Sequence, residues 1–207
     1  KSGNNCYGDP ITSTVTVNPE PVAISSVPSQ TICSNVAFTA INLSNQIASG
    51  TTYTWTRDNT TDVTGMTASG VGSPISGTLR NKTANPITVT FTITPKSGNN
   101  CYGDPITSTV TVNPEPVAIS SVPSQTICSN VAFSAINLSN QIASGTTYTW
   151  TRDNTTNVTG MSASGNGSSI SGTLRNKTAN PITVTFTITP KSGNNCYGDP
   201  ITSTVTV

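Results

Sequence analysis

The sequence predicts an all-β chain built from tandem β-sandwich units of about seven short strands each. Two observations predict it: a long internal repeat, and runs in which apolar residues alternate with threonine. Serine and threonine supply 66 of the 207 residues, whereas the good helix formers Leu, Lys and Glu are scarce, which favours strands over helices. Only 8% of the residues are charged, so the composition is not that of a disordered chain.

The repeat sets the organisation of the chain. The segment KSGNNCYGDPITSTVTV begins at Lys1, Lys96 and Lys191, which defines a period of 95 residues. A repeat of this length is a domain with its own core rather than one turn of a solenoid. The ranges 1–95 and 96–190 differ at five positions only: Thr39/Ser134, Asp62/Asn157, Thr67/Ser162, Val71/Asn166 and Pro74/Ser169.

Proline-rich segments mark the predicted boundaries between units. Proline has no N–H for a sheet ladder and holds the backbone extended, so a Pro-x-Pro segment indicates a stiff linker. With this boundary, residues 18–112 and 113–207 are expected to be complete units, here called the first and second unit. Residues 1–17 are expected to be the last strand of a preceding, truncated unit. The linker residues are Pro19, Glu20 and Pro21, and their copies Pro114, Glu115 and Pro116.

The strands of one unit follow from patterns of period two. The clearest are 86–94, where Ile87, Val89, Phe91 and Ile93 alternate with threonine, and 106–112. The turn-rich stretch between them predicts a hairpin with a long loop. Strands are also predicted at 22–27, 36–43, Thr52–Arg57 and 75–81, with a weaker one at 63–66. A tryptophan in a middle strand, Trp55 or its copy Trp150, is typical of an immunoglobulin-like sandwich.

The cysteines form two sets, one in TICSN (Cys33, Cys128) and one in NNCYGDP (Cys6, Cys101, Cys196). Pairing within units gives Cys33–Cys101 and Cys128–Cys196, and leaves Cys6 unpaired by truncation. A rival pairing, Cys6–Cys33 and Cys101–Cys128, would clamp neighbouring units across the linker, and free thiols are a third alternative. The stabilisation expected from loop closure differs little between the first two alternatives, at about 4.4 kcal/mol for pairing within units and about 3.6 kcal/mol for the rival pairing. The expected position of Cys33 beside the last strand favours pairing within units. Paired cysteines imply an oxidising, extracytoplasmic location.

Several classes of function are excluded. The chain has no histidine, so Ser-His and Cys-His nucleophilic pairs are impossible, and we predict no catalytic residues and no enzyme. A net charge of +1 argues against nucleic-acid binding, and no apolar run is long enough for membrane insertion. No cofactor and no metal site are predicted, because CxxC motifs are absent and carboxylates are few. Calcium at Asp104 with Glu20, or at Asp58 and Asp62, is an alternative that rests on two carboxylates each.

The motifs TICSN, TYTW, TVTFTITP, CYGDP and TVTVNPEPV resemble the PKD-like and immunoglobulin-like repeats of giant surface proteins in Bacteroidota, including gliding-motility adhesins of the SprB type. The resemblance covers essentially the whole chain, and only the segment 61–74 lacks a matching strand. It implies an extracellular, cell-surface stalk exported by the type IX secretion route. It also supports the pairs Cys33–Cys101 and Cys128–Cys196, whose positions match paired cysteines of the family.

We therefore expect structural spacer repeats of a long cell-surface adhesin or filament, disulfide-stapled and arranged in series. The expected partners are neighbouring repeats of the same chain, with self-association into filaments as an extension. One alternative is an adhesive module whose weak glycan or surface contacts are multiplied by avidity, with Tyr102 and Tyr197 as exposed aromatic residues. Another is a polymeric fibre in which a strand such as 1–17 completes the sandwich of a different chain.

Overall fold

The computed structural model describes residues 3–4 and 7–207, and all regular structure within them is β. No helix in this described part of the chain is long and apolar enough to cross a membrane. The first unit contains β1 (Ala23–Ser25), β2 (Ser29–Cys33), β3 (Leu43–Asn45), β4 (Thr52–Arg57), β5 (Val63–Thr64), β6 (Ser69–Val71), β7 (Arg80–Asn81), β8 (Ile87–Lys96) and β9 (Ile106–Asn113).

The second unit repeats this order with small changes of length and one additional short strand. Its strands are β10 (Ala118–Ser120), β11 (Ser124–Thr126), β12 (Ile136–Asn140), β13 (Thr147–Arg152), β14 (Val158–Thr159), β15 (Ser164–Asn166), β16 (Ser169–Ile170), β17 (Arg175–Asn176), β18 (Thr183–Lys191) and β19 (Ile201–Thr206). Among the described residues, every sheet is built from strands of one unit only. The chain is thus two β-sandwiches in tandem, as the repeat predicts.

Each sandwich has one large sheet and one fragmented layer. In the first unit the large sheet has the order β2-β9-β8-β4-β6, in which β2 runs parallel to β9 and the other pairs are antiparallel. The facing layer consists of the pairs β1-β3 and β5-β7, with single bridges Ala37–Thr78 and Ile41–Ile75. The large sheet of the second unit has the equivalent order β11-β19-β18-β13-β15. This is the two-layer arrangement of immunoglobulin-like domains.

The core lies between the two layers and is centred on one phenylalanine. Val89, Phe91 and Ile93 of β8 have no exposed surface, which confirms the inward face predicted from the alternation with threonine. The Phe91 ring lies 5.8 Å from Trp55, edge to face, and 5.7 Å from Phe38. Phe186 has the same neighbours in the second unit, Trp150 and Phe133. The tryptophan of the middle strand is therefore a core residue.

Two strands were absent from the sequence prediction, and two predictions were wrong in extent. The strand predicted at 75–81 is regular only at Arg80–Asn81. β2 and β6 are the short strands at the two edges of the large sheet, and neither shows an alternation of apolar residues. In β6, Gly70 packs directly on the indole of Trp55. The strand predicted at 36–43 is mostly a loop with two bridges, and regular pairing starts at Leu43 against Ser25. Edge strands are paired through backbone groups, which side-chain periodicity does not report.

The segment 7–17 has the sequence of the last strand of a unit but belongs to no sheet. Ile11 is 98% exposed and Val15 is 86% exposed, whereas their copies lie in β9 and β19. Its assignment to a preceding unit stays a prediction.

Candidate functional site at the unit junction

The direction of β2 determines where Cys33 lies. Because β2 is parallel to β9, its residues pair in rising order from Ser29 with Thr109 to Cys33 with Asn113. Asn113 is the last residue of β9 and directly precedes the linker proline Pro114. The backbone N–H of Ser34 donates to the carbonyl of Asn113 at 2.9 Å. Cys33 therefore lies at the end of the first unit that faces the second.

The loop between β18 and β19 lies at the opposite side of the same junction. Gly198 packs so closely on the carbonyl oxygen of Pro116 that a Cβ atom there would overlap it, and Gly103 lies equally close to Pro21. The loop NNCYGDP thus sits where the linker enters its unit. Cys196 belongs to this loop, and its N–H donates to Ser192 Oγ at 3.2 Å.

A disulfide joins Cys33 of the first unit to Cys196 of the second, with the two Cα atoms 5.5 Å apart. Cys101 and Cys128 are free thiols. The predicted pairs Cys33–Cys101 and Cys128–Cys196 are therefore wrong. The bond crosses the linker, as the rival clamp would have done, but joins different cysteines. Cys6 lies outside the described residues.

Geometry explains why pairing within a unit fails. Cys33 lies beside Asn113 at the end of β9, whereas Cys101 precedes Ile106 at its start. Seven residues of extended strand span about 23 Å, and a disulfide requires Cα atoms within roughly 7 Å of each other. Cys33 thus lies beside the last strand, as expected from the sequence, but at the end of that strand away from Cys101.

The linker between the units is packed rather than free. Pro114 is buried, whereas its copy Pro19 is exposed, and Pro116 is buried as well. Glu115 is half-buried, and its Oε2 accepts a hydrogen bond of 2.6 Å from Asn35 Nδ2. This contact joins the linker to the first unit.

Comparison of identical residues in the two units shows what the junction covers. Ser34 is 5% exposed at the junction, whereas its copy Ser129, at the far end of the second unit, is exposed. Cys196 has no exposed surface, whereas its copy Cys101 is half-buried. Since the sequences around these pairs are identical, the difference in burial comes from the neighbouring unit.

The junction also brings charged residues together. Arg80, Lys82 and Glu115 line one crevice between the units, and Glu115 and Asp199 line another at the entry of the second unit. Glu115 and Asp199 are the copies of Glu20 and Asp104, the pair considered for calcium. Within the part of the chain that the structure describes, no group of three or more His, Cys, Asp or Glu side chains could hold a metal ion.

Asp58 and Asp62, the second pair considered for calcium, form hydrogen bonds within the first unit. Asp58 Oδ1 accepts the N–H of Thr90 at 2.7 Å and so anchors the turn after β4 to β8. Asp62 contributes its backbone carbonyl, which accepts the N–H of Lys82 at 3.0 Å, and Asn157 does the same for Lys177. A backbone role explains why aspartate and asparagine can replace each other at this position.

Each unit contains a buried arginine that was not among the residues singled out from the sequence. Arg57 is 7% exposed and donates to the carbonyls of Thr67, Asp58, Val63 and Met66 at 2.7–3.3 Å. Arg152 makes the equivalent bonds. Burial lowers the pKa of Arg57, and neighbouring Asp58 partly offsets this. The alternation Tyr53, Trp55, Arg57 was the available signal, because residues two apart share a face.

The exposed tyrosines considered as a binding surface stand near the entry end of each unit. Tyr102 and Tyr197 are each 63% exposed. Lys96 Nζ lies 5.2 Å from the ring centroid of Tyr102, and Lys191 Nζ lies equally far from that of Tyr197. Within the described residues, each unit thus presents one exposed aromatic residue, beside a lysine.

A family model described as PKD-like domain matches residues 30–116 and 125–207. No curated protein matches the sequence. Among solved structures, the fibronectin(III)-like modules of Clostridium thermocellum CbhA are 11% identical over 90% of this chain and 94% of theirs, with a TM-score of 0.35. An I-band fragment of titin is 9% identical over 90% of this chain and 64% of its own, with a TM-score of 0.41. The D00-D0 domain of Intimin is 11% identical over 88% and 99%, with a TM-score of 0.37.

Proposed function

Because this chain belongs to the PKD-like domain family, we propose that its two units are structural spacers, set in series within a long extracellular adhesin or filament at a cell surface. Domains of this family are generally structural rather than catalytic modules. The observation that carries the proposal is the junction, where the disulfide Cys33–Cys196 and a buried proline linker hold two sandwiches together.

The junction connects the units at two covalent points. One is the linker after Asn113, and the other is the disulfide, whose sulfur atoms come from β2 of the first unit and the β18–β19 loop of the second. A single linker leaves two domains free to bend and twist, which is the default for small interfaces. A second connection, together with the Asn35–Glu115 hydrogen bond, restricts these motions. A spacer needs this stiffness to keep a distal element at a set distance.

The bond also stabilises the folded pair of units relative to the unfolded chain. The disulfide closes a loop with a sequence separation of 163 residues, which reduces the entropy of the unfolded chain by an equivalent of about 5 kcal/mol. A bond of this kind persists in oxidising surroundings, which supports an extracellular location together with the resemblance to surface repeats.

An adhesive module is the second candidate, and Tyr102 and Tyr197 are the residues that favour it. Exposed aromatic rings are the usual contacts for sugars, and two rings at equivalent positions would bind a repeated glycan by avidity. The lysine beside each ring would also suit an acidic sugar. Glycan-array binding that is lost in Tyr102→Ala with Tyr197→Ala would support this candidate over a plain spacer.

Small-angle X-ray scattering of the full chain tests the spacer proposal. The control carries Cys6→Ser, Cys101→Ser and Cys128→Ser and keeps the bond. The test variant carries the same three substitutions together with Cys33→Ser and Cys196→Ser, so neither has a free thiol and only the control keeps the bond. We expect one narrow, extended distance distribution for the control and a broader one for the test variant. Identical distributions would show that the bond does not stiffen the junction and would overturn the proposal.

A further inference from the structure

We propose that the crevice between the two units binds a tetrahedral oxyanion of the sulfate type, held by Arg80, Lys82 and Ser34. The crevice has a volume of about 110 Å³, which is several times the space of one water molecule and accommodates one such group. The inference rests on the junction described under the proposed function and goes further, because it assigns a ligand to that junction.

Two cationic side chains line the crevice from the first unit. Arg80 belongs to β7 and Lys82 directly follows that strand, and both line the crevice. Residues two apart in an extended chain are separated by at most about 7 Å. Within the described residues, neither side chain forms an ion pair with a carboxylate. Two like charges at this distance repel each other, and an anion bound between them relieves the repulsion.

Two buried polar residues support these cations. Ser34 and Asn81 are each 5% exposed. Asn81 Nδ2 donates to the carbonyl of Val112 at 2.8 Å, and its backbone N–H donates to Ser34 Oγ at 3.1 Å. These bonds fix the strand segment that carries both cations.

The hydroxyl of Ser34 is a third donor. Its oxygen accepts the N–H of Asn81, whereas its proton has no acceptor among the described residues. A buried donor without an acceptor lowers stability, and an oxyanion oxygen in the crevice supplies the acceptor. A guanidinium, an ammonium and a hydroxyl group offer donors to three oxygens of one tetrahedral anion.

Identical residues of the two units show that the neighbouring unit creates the site. Lys177 Nζ donates to the carbonyl of Thr156 at 3.3 Å, whereas its copy Lys82 makes no such bond and lines the crevice. Ile142 of the second unit also lines the crevice and is half-buried, whereas its copy Ile47 is 60% exposed. Both units therefore close the crevice, and partial exclusion of water strengthens charge interactions inside it.

One acidic side chain, Glu115, lines the same crevice. Its Oε2 accepts a hydrogen bond of 2.6 Å from Asn35 Nδ2, and it forms no ion pair with Arg80 or Lys82. Two cations and one carboxylate leave one positive charge, so the crevice favours an anion over a cation. Glu115 weakens the binding of an anion, which provides a distinguishing test.

Occupation of the crevice is coupled to docking of the units. Arg80 and Lys82 come from the first unit, and Ile142 comes from the second, so the complete site exists only while the two units are in contact. A ligand that binds only the docked arrangement shifts the equilibrium toward it. A bound oxyanion therefore adds to the restraint that the disulfide provides.

Titration of the full chain with sodium sulfate, followed through the NMR signals of its backbone amides, tests the site. The chain carries Cys6→Ser, Cys101→Ser and Cys128→Ser, so that it keeps the Cys33–Cys196 bond and has no free thiol. Sodium chloride keeps the ionic strength constant, which excludes an effect of screening alone.

We expect saturable shifts of the Ser34 and Lys82 amides. Their copies Ser129 and Lys177, at the other end of the second unit, serve as references in the same spectrum and should not saturate. Absence of saturation at Ser34 and Lys82 would overturn the proposal. Equal saturation at the two copies would overturn it as well, since it would show binding to any neighbouring arginine and lysine.

Paired charge removals locate the anion. Arg80→Gln with Lys82→Gln should weaken sulfate binding at least several-fold, because it removes both cations of the crevice. Arg175→Gln with Lys177→Gln is the matched control, since it removes the same two charges at the copies of these residues. The proposal fails if both double variants bind sulfate with the same affinity.

Glu115→Gln is expected to bind sulfate several-fold more tightly than the parent chain. The substitution removes the negative charge from the crevice, and the amide oxygen of glutamine can still accept the hydrogen bond from Asn35. Unchanged or weaker binding in this variant would place the anion elsewhere and would contradict the proposal.

Dextran sulfate and unsulfated dextran distinguish two sources of the same chemical group. If dextran sulfate shifts the Ser34 and Lys82 amides and dextran does not, the crevice binds a sulfate ester of a polysaccharide. If free sulfate alone shifts them, the crevice binds the free ion. Both results support an oxyanion site, and the Ser129 and Lys177 amides remain the reference in each case.

X-ray scattering separates failure of this inference from failure of the proposed function. If the amides do not titrate but the disulfide still narrows the distance distribution, only the oxyanion site is refuted. If the disulfide has no effect on the distribution and the amides saturate, the spacer proposal falls and the site remains. Sulfate should also narrow the distribution of the chain that lacks the disulfide, and an unchanged distribution at saturating sulfate would refute the coupling to docking.

Discussion

At the scale of single residues, the buried arginine of each unit has a structural role. Arg57 and Arg152 follow Trp55 and Trp150 on the inward face of the middle strand, and their guanidinium groups bind the carbonyls of the loop that follows. A guanidinium supplies five donors in a planar fork, which no other side chain offers. This one residue therefore organises a loop that has little apolar content.

We predict that Arg57→Lys destabilises the first unit by roughly 3 kcal/mol, because the ammonium group cannot reach all four carbonyls and leaves some without a donor. Native-state hydrogen exchange of the β8 amides measures the loss, and β18 of the unchanged second unit is the reference within the same chain. Arg80→Lys, at an exposed arginine, is the control and should leave β8 unchanged. Equal protection in β8 and β18 of the Arg57 variant would refute this role.

At the scale of elements, the contact between the linker and the hairpin loop sets the path by which the chain enters each unit. Gly198 and Gly103 allow the loop to lie against the carbonyl oxygens of Pro116 and Pro21. The loop in turn holds Cys196 next to Cys33 of the first unit. The glycine is needed for space, since any side chain would displace the linker.

Gly198→Ala is expected to push the linker off the loop and destabilise the second unit by about 1–3 kcal/mol, the usual cost of overpacking. The fraction of chains with the Cys33–Cys196 bond should fall, which peptide mapping of the oxidised protein measures. Gly193→Ala is the matched control in the same loop, because its nearest contact would be at 3.4 Å. The prediction fails if both variants form the bond to the same extent.

At the scale of the whole molecule, two sandwiches with separate cores are joined by two covalent connections, the packed linker and the disulfide. The cores of the two units are separate clusters, and each is complete within its own unit. The disulfide lies outside both cores, so it fixes the relative orientation of the units, and neither core needs it in order to form.

We predict that Cys33→Ser with Cys196→Ser leaves both sandwiches folded. The amides of β8 and β18 should remain strongly protected from hydrogen exchange, whereas the amide of Ser34, which donates to Asn113 at the junction, should lose its protection. Addition of a reductant to the parent should have the same effect, which controls for the substitutions themselves. Loss of protection in β8 would show that the bond supports the fold of a unit.

Much of this architecture could be predicted from the residues alone. The period of 95 residues, the alternation in 86–94 and the position of Trp55 predicted the number of units, the central strands and the inward face of the core. These features follow from local side-chain patterns, since a strand with one buried face must alternate.

The disulfide partners and the edge strands were decided by the tertiary structure. β2 joins the sheet through backbone bonds to β9, about eighty residues away along the chain, and its side chains do not show whether that pairing is parallel or antiparallel. A parallel β2 places Cys33 at the linker end, and an antiparallel one would have placed it near Cys101. The sequence by itself thus determined what each unit is, whereas the direction of one short edge strand determined how the units are joined.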